Sequence, residues 1–490
     1  MPSKSPYYTQ QHEPPTPTDQ ATRDRWDETR LRRRLLDGSW RDDLLTRYAK
    51  HMGLERAEAH GAYSAGLDQS CNPFKQINTE LSTLYHSAPD VHHEKPSARE
   101  WVANTLSPSG VWAMMEWFQA MVLGCREYLI RVDVDEHGAL MFRPVPPDLV
   151  SAESHADRPH IPIRIDEYRR RDVGGEVIWT IDRYDISDPE NPIYQVLALR
   201  TPTDASPTRA EEDITADVLG ELQSGEAYPY RKADGTPIIP FVLYHAKVTM
   251  DRLWLWSDGV ETVDGSLNAA VGFSFLFHAF RTSSWPQKWG VNVQPIAGTT
   301  QGSVDNPRNT VVSDPAVVLL FKQLAAGMET PGQPMIGQWS AGADIAAMDA
   351  ALASYISRIA TDAGIAPSDV QRMGGTARSG YAIALSNASK RVAQDKHRSG
   401  FQRHDQDLVS VAAILHNRAT GGAIPEDGYD VAHKPIPLSP QELEALRKNL
   451  LELMSAGLIS RLDAYRELHP GMSEDHARRH LALIDSQRIA

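Results

Sequence analysis

The spacing of apolar residues changes twice along this chain, and this change limits the fold more than any other feature. Before about residue 125, apolar residues recur every three to four positions, as in "REWVANTLSPSGVWAMMEWFQAMV". They alternate over residues 125–248, as in "EYLIRVDV", and the helical spacing returns from residue 257. A period of 3.6 predicts helices and a period of 2 predicts strands. The sequence therefore predicts an α+β protein with a mainly antiparallel sheet between two helical regions.

Two features of the sheet region are specific enough to test. Hairpin turns are predicted at His137-Gly138 and at Gly174-Gly175, each between two alternating segments. The polar, acidic stretch at residues 202–226 fits no predicted strand and is interpreted as an insertion at the edge of the region or as a disordered segment.

The next part of the chain combines two helices with a small insertion. Helices are predicted over residues 257–285, capped by Ser257 or Asp258, and over residues 343–363. The intervening residues 287–340 are rich in Gly and Pro and contain only short β-like runs. They are therefore expected to form a small compact insertion between the two helices.

The second helix leads into an unusually long connection. Gly364 is expected at its C-cap, and "GIAPSDVQRMGGTARSG" fills residues 364–380. Helices in compact domains are usually joined by only a few residues, so this length indicates a function. A long helix is predicted over residues 381–422, kinked at Ser399-Gly400, and three short helices are predicted beyond Ser439.

Charge and composition exclude several classes of protein. The 490 residues carry a formal net charge of −14, so the chain as a whole offers no basic surface for gripping nucleic acid. The "RLRRR" cluster at residues 30–34 is surrounded by acidic residues and is interpreted as a solvated helix face. Two cysteines indicate no disulfide framework. The most apolar stretch, residues 266–280, is too short to cross a bilayer, so no membrane association is expected.

Motifs that would specify a reaction are not found. The sequence has no phosphate loop of the GxxxxGK[ST] type and no GxGxxG after a strand. "DVDEHG" at residues 133–138 begins like a calcium loop but has Pro144 at the position of the last ligand, so a hairpin turn is the better interpretation. No metal, cofactor or catalytic residue is predicted, and the chain is expected not to be an enzyme.

Two segments resemble a known family. "ISRIATDAGIAPSDVQRMGGTARSGYAIALSN" is similar to a recurring segment of the portal proteins of tailed double-stranded DNA phages and gene transfer agents. "GLISRLDAYRELHPGMSEDHARRHLALI" is similar to the segment near the end of those proteins. The resemblance extends over about residues 25–487. It implies these parts: a disordered tail (1–24), a wing (25–256), stem helices (257–286 and 341–363), a clip (287–340), a tunnel loop (364–380), a long wing helix (381–422) and a helical crown (423–490).

The resemblance also implies roles for particular residues. The tunnel loop would line a central DNA channel through Gly364, Pro367, Gln371, Arg372, Gly374, Gly375, Arg378 and Gly380. Lys390 and Arg391 would lie close to the DNA behind the loop. Phe273, Phe277, Trp285 and Trp289 would pack between neighbouring subunits, although packing within one subunit explains these four residues equally well. The alternative for residues 364–380 is a mobile surface loop with solvated arginines.

The function implied is that of a DNA conduit. A ring, of twelve subunits in many members of the family, would occupy one capsid vertex of the virion after assembly in the host cytoplasm. Double-stranded DNA would be packaged and ejected through it, and the expected partners are the terminase large subunit, head–tail adaptors, and the major capsid and scaffolding proteins. Two alternatives stay open: an intracellular hydrolase-like enzyme with an unrecognised site, and another phage head structural protein.

Overall fold

The computed structural model describes residues 17, 19–56, 66–135, 137–200, 210–219, 228–284, 287–291, 293–295, 321–323, 335–339, 344–367, 380–436, 440–468, 477–482 and 484. These residues divide between two compact units. The first comprises residues 1–38, 74–260 and 360–490, and the second comprises residues 39–73 and 261–359. The α+β class predicted from the sequence is confirmed.

The helices of the described residues include those predicted from residue 257 onward, close to their predicted bounds. They are α1 (Gln20–Asp37), α2 (Arg41–Met52), α3 (Pro73–Leu81), α4 (Pro96–Trp101), α5 (Val111–Cys125), α6 (Thr215–Leu219), α7 (Val260–Ser284), α8 (Ile345–Asp362), α9 (Gly380–Thr420), α10 (Pro440–Ser455) and α11 (Arg461–Leu468). Residues 477–482 are also helical. Helix α9 is uninterrupted at Ser399-Gly400, and the kink predicted there stays a prediction. None of the helices described is both long and apolar enough to span a bilayer.

The strands form sheets by antiparallel pairing. They are β1 (Asp90–His92), β2 (Glu127–Val134), β3 (Leu140–Val145), β4 (Val150–Ser154), β5 (Pro162–Val173), β6 (Glu176–Asp185), β7 (Ile193–Arg200), β8 (Ala210–Asp213), β9 (Phe241–His245), β10 (Gln287–Val291), β11 (Val293–Pro295), β12 (Phe321–Gln323), β13 (Met335–Trp339) and β14 (Asp430–Ala432). In the first unit the orders are β3-β2-β9, β4-β5-β6-β7-β8 and β1-β14. In the second unit β10 pairs with β13 and β11 with β12.

Both predicted hairpin turns are confirmed. Val173 pairs with Glu176 across Gly174-Gly175, and both glycines have positive φ, as a two-residue hairpin turn requires. At the other turn, Oδ1 of Asp135 accepts hydrogen bonds from the backbone N–H groups of His137 (2.9 Å) and Ala139 (2.8 Å). The carboxylate therefore closes the turn itself, which supports the hairpin interpretation over a calcium loop.

One hydrophobic core joins the two larger sheets of the first unit. Leu129 and Leu243 of the three-stranded sheet pack with Ile165, Ile178 and Val196 of the five-stranded sheet. A smaller cluster on the five-stranded sheet contains Trp26 of α1, Tyr168, Trp179, Ile181, Leu197 and Leu199. The rings of Trp26 and Tyr168 meet edge to face, with centroids 5.0 Å apart.

The basic cluster near the N-terminus corrects the sequence interpretation. Arg32 of "RLRRR" is fully buried rather than solvated. Its guanidinium donates to the carbonyl oxygens of Gly124 (3.2 Å) and Asp258 (3.0 Å) and to Oε1 of Glu28 (2.7 Å). These bonds offset the cost of removing the charge from water, so Arg32 is part of the core of the unit.

Two further expectations are corrected. Glu211 and Glu212 of the acidic stretch pair with Leu199 and Ala198, so part of this stretch is the edge strand β8 of the five-stranded sheet. Residues 201–209 and 220–227 lie outside the described part of the chain. The cap was predicted at Ser257 or Asp258, but α7 begins at Val260, so neither residue directly precedes it. The carboxylate of Asp258 instead contacts Nζ of Lys247 (2.6 Å) and Nη2 of Arg252 (3.2 Å). Burial raises the pKa of Asp258, but these cations outweigh it and the pKa is lowered.

Candidate functional site

Helices α7 and α8 form an antiparallel pair held at very close range. A β-carbon at Gly272 would lie 2.4 Å from Cδ2 of Leu352, and one at Gly265 would lie 3.0 Å from Cδ1 of Ile359. The two glycines are two helical turns apart and so share one face of α7. They leave room for the side chains of α8 to reach the backbone of α7. Sequence reasoning missed this signal, a pair of glycines spaced by seven on α7.

The strands between these helices continue the same antiparallel arrangement. Gln287 pairs with Trp339, and Val291 pairs with Met335. The chain therefore runs from α7 into β10 and returns through β13 to α8. The strand ends next to the two helices are paired with each other. The described strands fall within the insertion predicted over residues 287–340, and its compactness stays a prediction because residues 296–320 and 324–334 lie outside the described part of the chain.

The aromatic residues predicted at subunit contacts differ in exposure. Phe277 is 49% exposed and Phe280 is 56% exposed, whereas Phe273 is half-buried. Val263, Leu267, Ala270 and Val271 on the same helix are buried. Trp285 lies outside the described residues, and Trp289 is described only through its backbone pairing with Gly337 in β10. Helix α7 thus has a buried face and exposed phenylalanines in its C-terminal half.

The predicted tunnel loop begins at a well-formed helix end. Gly364 has φ of +79°, which favours glycine, and its N–H donates to the carbonyl oxygen of Thr361 (2.9 Å). The N–H of Ile365 donates to the carbonyl oxygen of Ala360 (2.9 Å), which completes a Schellman-type end. The C-cap predicted at Gly364 is confirmed.

Most of the loop itself lies outside the described residues. Pro367 is described, and Gly380 is the first residue of α9. Gln371, Arg372, Gly374, Gly375 and Arg378 belong to residues 368–379, which are not described. Their role at a DNA channel therefore stays a prediction.

The two cations predicted to lie near DNA are both paired with carboxylates. Nζ of Lys390 contacts Oε2 of Glu80 on α3, and Nη2 of Arg391 donates to both carboxylate oxygens of Glu442 on α10, at 2.7 and 2.8 Å. These ion pairs connect the long helix α9 to α3 and to α10. Much of the positive charge of the two residues is therefore already balanced, which leaves less of it for a phosphate.

A buried polar cluster centred on Asp405 of α9 was not predicted from the sequence. The hydroxyl of Tyr85 donates to both oxygens of Asp405 (2.8 and 2.9 Å), and that of Tyr244 donates to Oδ1 (2.8 Å). Nε2 of His433 lies 2.9 Å from Oδ2, an ion-pair distance at an angle outside hydrogen-bond geometry. Burial, reinforced by the charge of Asp405, raises the pKa of both tyrosines well above its ordinary value, so both keep their protons.

This cluster can hold the fold together but does not resemble a reaction centre. The side chains of Asp405 and His433 have no solvent exposure, and Tyr244 has none either. A substrate therefore has no access to the carboxylate. The four residues come from α9, β9 and two connecting segments, and Tyr85 and Asp405 are separated by 320 positions. No local sequence pattern could have joined them.

A cavity of about 470 Å³ lies beside this cluster in the same unit. His245 and His404 line it, together with Arg403, Asp407 and Ser410 of α9 and several apolar side chains. Burial lowers the pKa of His404 to about 3, so this imidazole is neutral near pH 7. Nε2 of His245 is bonded to the carbonyl oxygen of Leu253 (2.8 Å). Among the described residues, no hydrogen bond joins Ser410 to a histidine.

The described residues also provide no metal centre. No group of three or more His, Cys, Asp or Glu side chains within them converges as ligands. His93, which directly follows β1, contacts the carbonyl oxygen of Asp427 (3.0 Å) through Nε2.

Comparison with known proteins gives structural matches only. No family model matches the chain, and no curated protein matches its sequence. Among solved structures, it is similar to a chain of the neck of a native gene transfer agent particle computed with C12 symmetry (TM-score 0.41, 12% identity, 82% of this chain and 91% of that one). It is also similar to a chain of the neck of an empty particle computed with C6 symmetry (0.37, 13%, 81% and 88%) and to a chain of the virion of the native particle (0.36, 13%, 81% and 90%).

Proposed function

We propose that this chain is the subunit of a ring-shaped portal through which double-stranded DNA enters and leaves a phage or gene transfer agent particle. The order of elements supports this most directly. Helix α7, a small strand insertion, the antiparallel helix α8, a capped end at Gly364 and the 41-residue helix α9 follow one another. The same order is expected for the stem, clip, stem, tunnel loop and wing helix of a portal subunit.

The surface of α7 supports assembly into a ring. Phe277 and Phe280 are each about half exposed, although burial of a phenylalanine side chain is favourable by about 1.5–3 kcal/mol. A neighbouring subunit in a ring would bury them. Twelve subunits form the proposed ring, with the stem helices side by side and the tunnel loops directed into the channel.

The charge of the chain supports a conduit that does not hold DNA tightly. Each subunit carries a formal charge of −14, and the duplex is itself a dense polyanion. A mostly acidic ring repels the duplex and lets it slide, while Arg372 and Arg378 of the tunnel loop make local phosphate contacts. The ring also provides the docking surface for the terminase and for head–tail adaptors, and the terminase supplies the energy for packaging.

The mass of the purified protein in solution tests ring formation. We expect particles of about twelve times 54.4 kDa, with a central hole in negative-stain images. Phe277→Glu should shift the population to monomers because it places a charge in the contact between stems. Met141→Glu is the matched control, since Met141 is also 49% exposed but lies on β3. Equal loss of rings in both variants would contradict the assignment of the contact to α7.

A test of the role of the tunnel loop in packaging requires assembled particles. Arg372→Ala combined with Arg378→Ala should leave ring formation intact and reduce the amount of packaged DNA per particle. Unchanged DNA content would show that the loop lines the channel without contacting phosphates. If monomers persist at all concentrations and in the presence of capsid proteins, the portal proposal itself fails.

A further inference from the structure

Strand β5 has one edge that is only half covered. Strand β4 pairs with β5 from Pro162 to Glu167, and the pairing ends at Val150↔Glu167. From Arg169 to Val173, β5 pairs with β6 on one side, and no strand among the described residues pairs with the other side. These five residues leave an edge about 17 Å long at 3.4 Å per residue. Such an edge presents backbone donors and acceptors to an incoming strand.

A basic cavity of about 460 Å³ adjoins this edge. It is lined by the end of β3, the turn before β4 and residues 167–170 of β5, together with Arg33 and Trp179. Its charged lining residues are four arginines and two carboxylates: Arg33, Arg143, Arg169, Arg170, Asp148 and Glu167. Arginines outnumber carboxylates in this lining, although the whole chain carries a formal net charge of −14.

Neighbouring carboxylates fix three of these four arginines. Nη1 of Arg33 donates to both oxygens of Asp148, at 2.7 and 2.9 Å. Nη2 of Arg143 donates to Oε1 of Glu167 at 2.5 Å. Nη1 of Arg169 donates to Asp182 at 3.3 Å, while Nε of Arg169 has no hydrogen-bond partner in the described part of the chain. These contacts fix the positions of the guanidinium groups before any ligand arrives.

The carboxylates behind the cavity are already shared among arginines. Asp182 is fully buried and also accepts hydrogen bonds from Arg131 (3.4 Å) and Arg171 (2.6 Å). The guanidinium of Arg170 lies over the ring of Trp179, 4.9 Å from its centroid, and has no carboxylate partner among the residues described. The network thus contains more guanidinium groups than carboxylates, and Arg170 is the exposed member without an anion.

We propose that the Arg169–Val173 edge and the arginine cavity bind an extended acidic segment of a partner protein as an added strand. Pairing with the edge would supply backbone hydrogen bonds, and the arginines would bind carboxylates that project from the added strand. Nucleic acid fits less well, because the rings of Tyr168 and Trp179 are 5% and 3% exposed and offer no face on which a base could stack. This proposal goes beyond the portal function and does not depend on ring formation.

Binding of defined probes to the full-length protein tests the proposal. The first probe is a fluorescein-labelled Glu-Val-Glu-Val-Glu-Val peptide, and its glutamine analogue is the uncharged control. A third peptide has the acidic sequence with alternate backbone nitrogens methylated, which keeps the charge but prevents pairing with the edge. A 20-base-pair DNA duplex is the fourth probe. We expect saturable anisotropy changes at 0.15 M salt with the acidic peptide alone.

Variants of single arginines locate the site. Arg170→Ala should weaken binding of the acidic peptide about tenfold, the effect of losing one charge-assisted contact worth about 1.5 kcal/mol. Arg158→Ala is the matched control, because Arg158 is an exposed arginine of the same unit away from this edge. Melting temperatures of both variants should match that of the parent protein.

Three results would overturn the proposal. Equal binding of the methylated peptide would show a charge interaction without strand addition. Binding of the duplex, dependent on Arg170 and without peptide binding, would assign the cavity to nucleic acid. If none of the probes binds, the arginines do not form a binding site, and their role would be to prevent edge-to-edge association of the sheet.

Discussion

The Asp405 cluster gives the sharpest prediction about stability. Asp405 is fully buried and receives hydroxyl donors from Tyr85 and Tyr244. A hydrogen bond to a charged group contributes about 1.5–3 kcal/mol, against about 0.5–1.5 kcal/mol for a neutral one. Tyr85→Phe and Tyr244→Phe should therefore each lower the free energy of unfolding by about 1.5–3 kcal/mol. Asp405→Ala should lower it by about 3–5 kcal/mol, because it leaves two hydroxyls and His433 buried without their common partner.

Tyr228→Phe is the matched control for the single tyrosine variants. Tyr228 is also buried, lies in the same unit, and its hydroxyl donates to the neutral carbonyl oxygen of Ile238 at 2.7 Å. Urea unfolding of all variants at one protein concentration measures the differences, since assembly makes apparent stability depend on concentration. A double variant of Tyr85 and Tyr244 should show coupling, because both hydroxyls share Oδ1 of Asp405. If either variant costs no more than Tyr228→Phe, Asp405 does not act as a buried charged acceptor.

The remaining predictions concern a buried carboxyl and the close helix pair. Burial raises the pKa of Glu127 to about 7, although a hydrogen bond from the N–H of Leu255 and the charges of Arg25 and Arg32 act in the opposite direction. In the unfolded state the carboxyl of Glu127 titrates near 4.5, so between pH 4.5 and 7 the unfolded state binds fewer protons than the folded state. The free energy of unfolding therefore falls by up to about 1.4 kcal/mol for each unit by which the pH rises through this range. Glu127→Gln should remove this slope in unfolding measurements from pH 4.5 to 8, and an unchanged slope would assign it to other groups. Gly272→Ala should destabilise by about 1–3 kcal/mol in thermal or urea unfolding, since its methyl group meets Leu352. Leu352→Ala should restore part of that loss if the clash is the cause, and no rescue would point elsewhere.

Periodicity and turn chemistry were sufficient to predict the elements. The alternation in "EYLIRVDV" and the Gly174-Gly175 pair predicted strands and a hairpin, and both are present. Gly364 predicted a helix end because the left-handed conformation there favours glycine. One of the three short helices predicted beyond Ser439 begins at Arg461, where Ser460 and Asp463 form reciprocal hydrogen bonds at 3.1 Å. All of these signals act within a few residues of one another.

Burial of charge could not be predicted in the same way. The arginines of "RLRRR" have acidic neighbours in the sequence, which indicated solvent, yet Arg32 is buried against carbonyl groups at Gly124 and Asp258. Glu211 and Glu212 were interpreted as part of an insertion and instead form an edge strand, because an exposed edge tolerates charge. In both cases the partner is remote in the sequence.

The sequence by itself determined the α+β class, the hairpins, the helix ends and the order in which two helices bracket a small insertion. These follow from interactions between residues that are near one another along the chain. The tertiary structure decided which charges are buried, how Tyr85, Tyr244 and His433 meet at Asp405, and how Gly272 admits Leu352. It also left Arg169–Val173 as an edge that no strand among the described residues covers, beside an excess of arginines. Such features depend on segments that come together only on folding, when the free energy of burial requires a partner for each polar group.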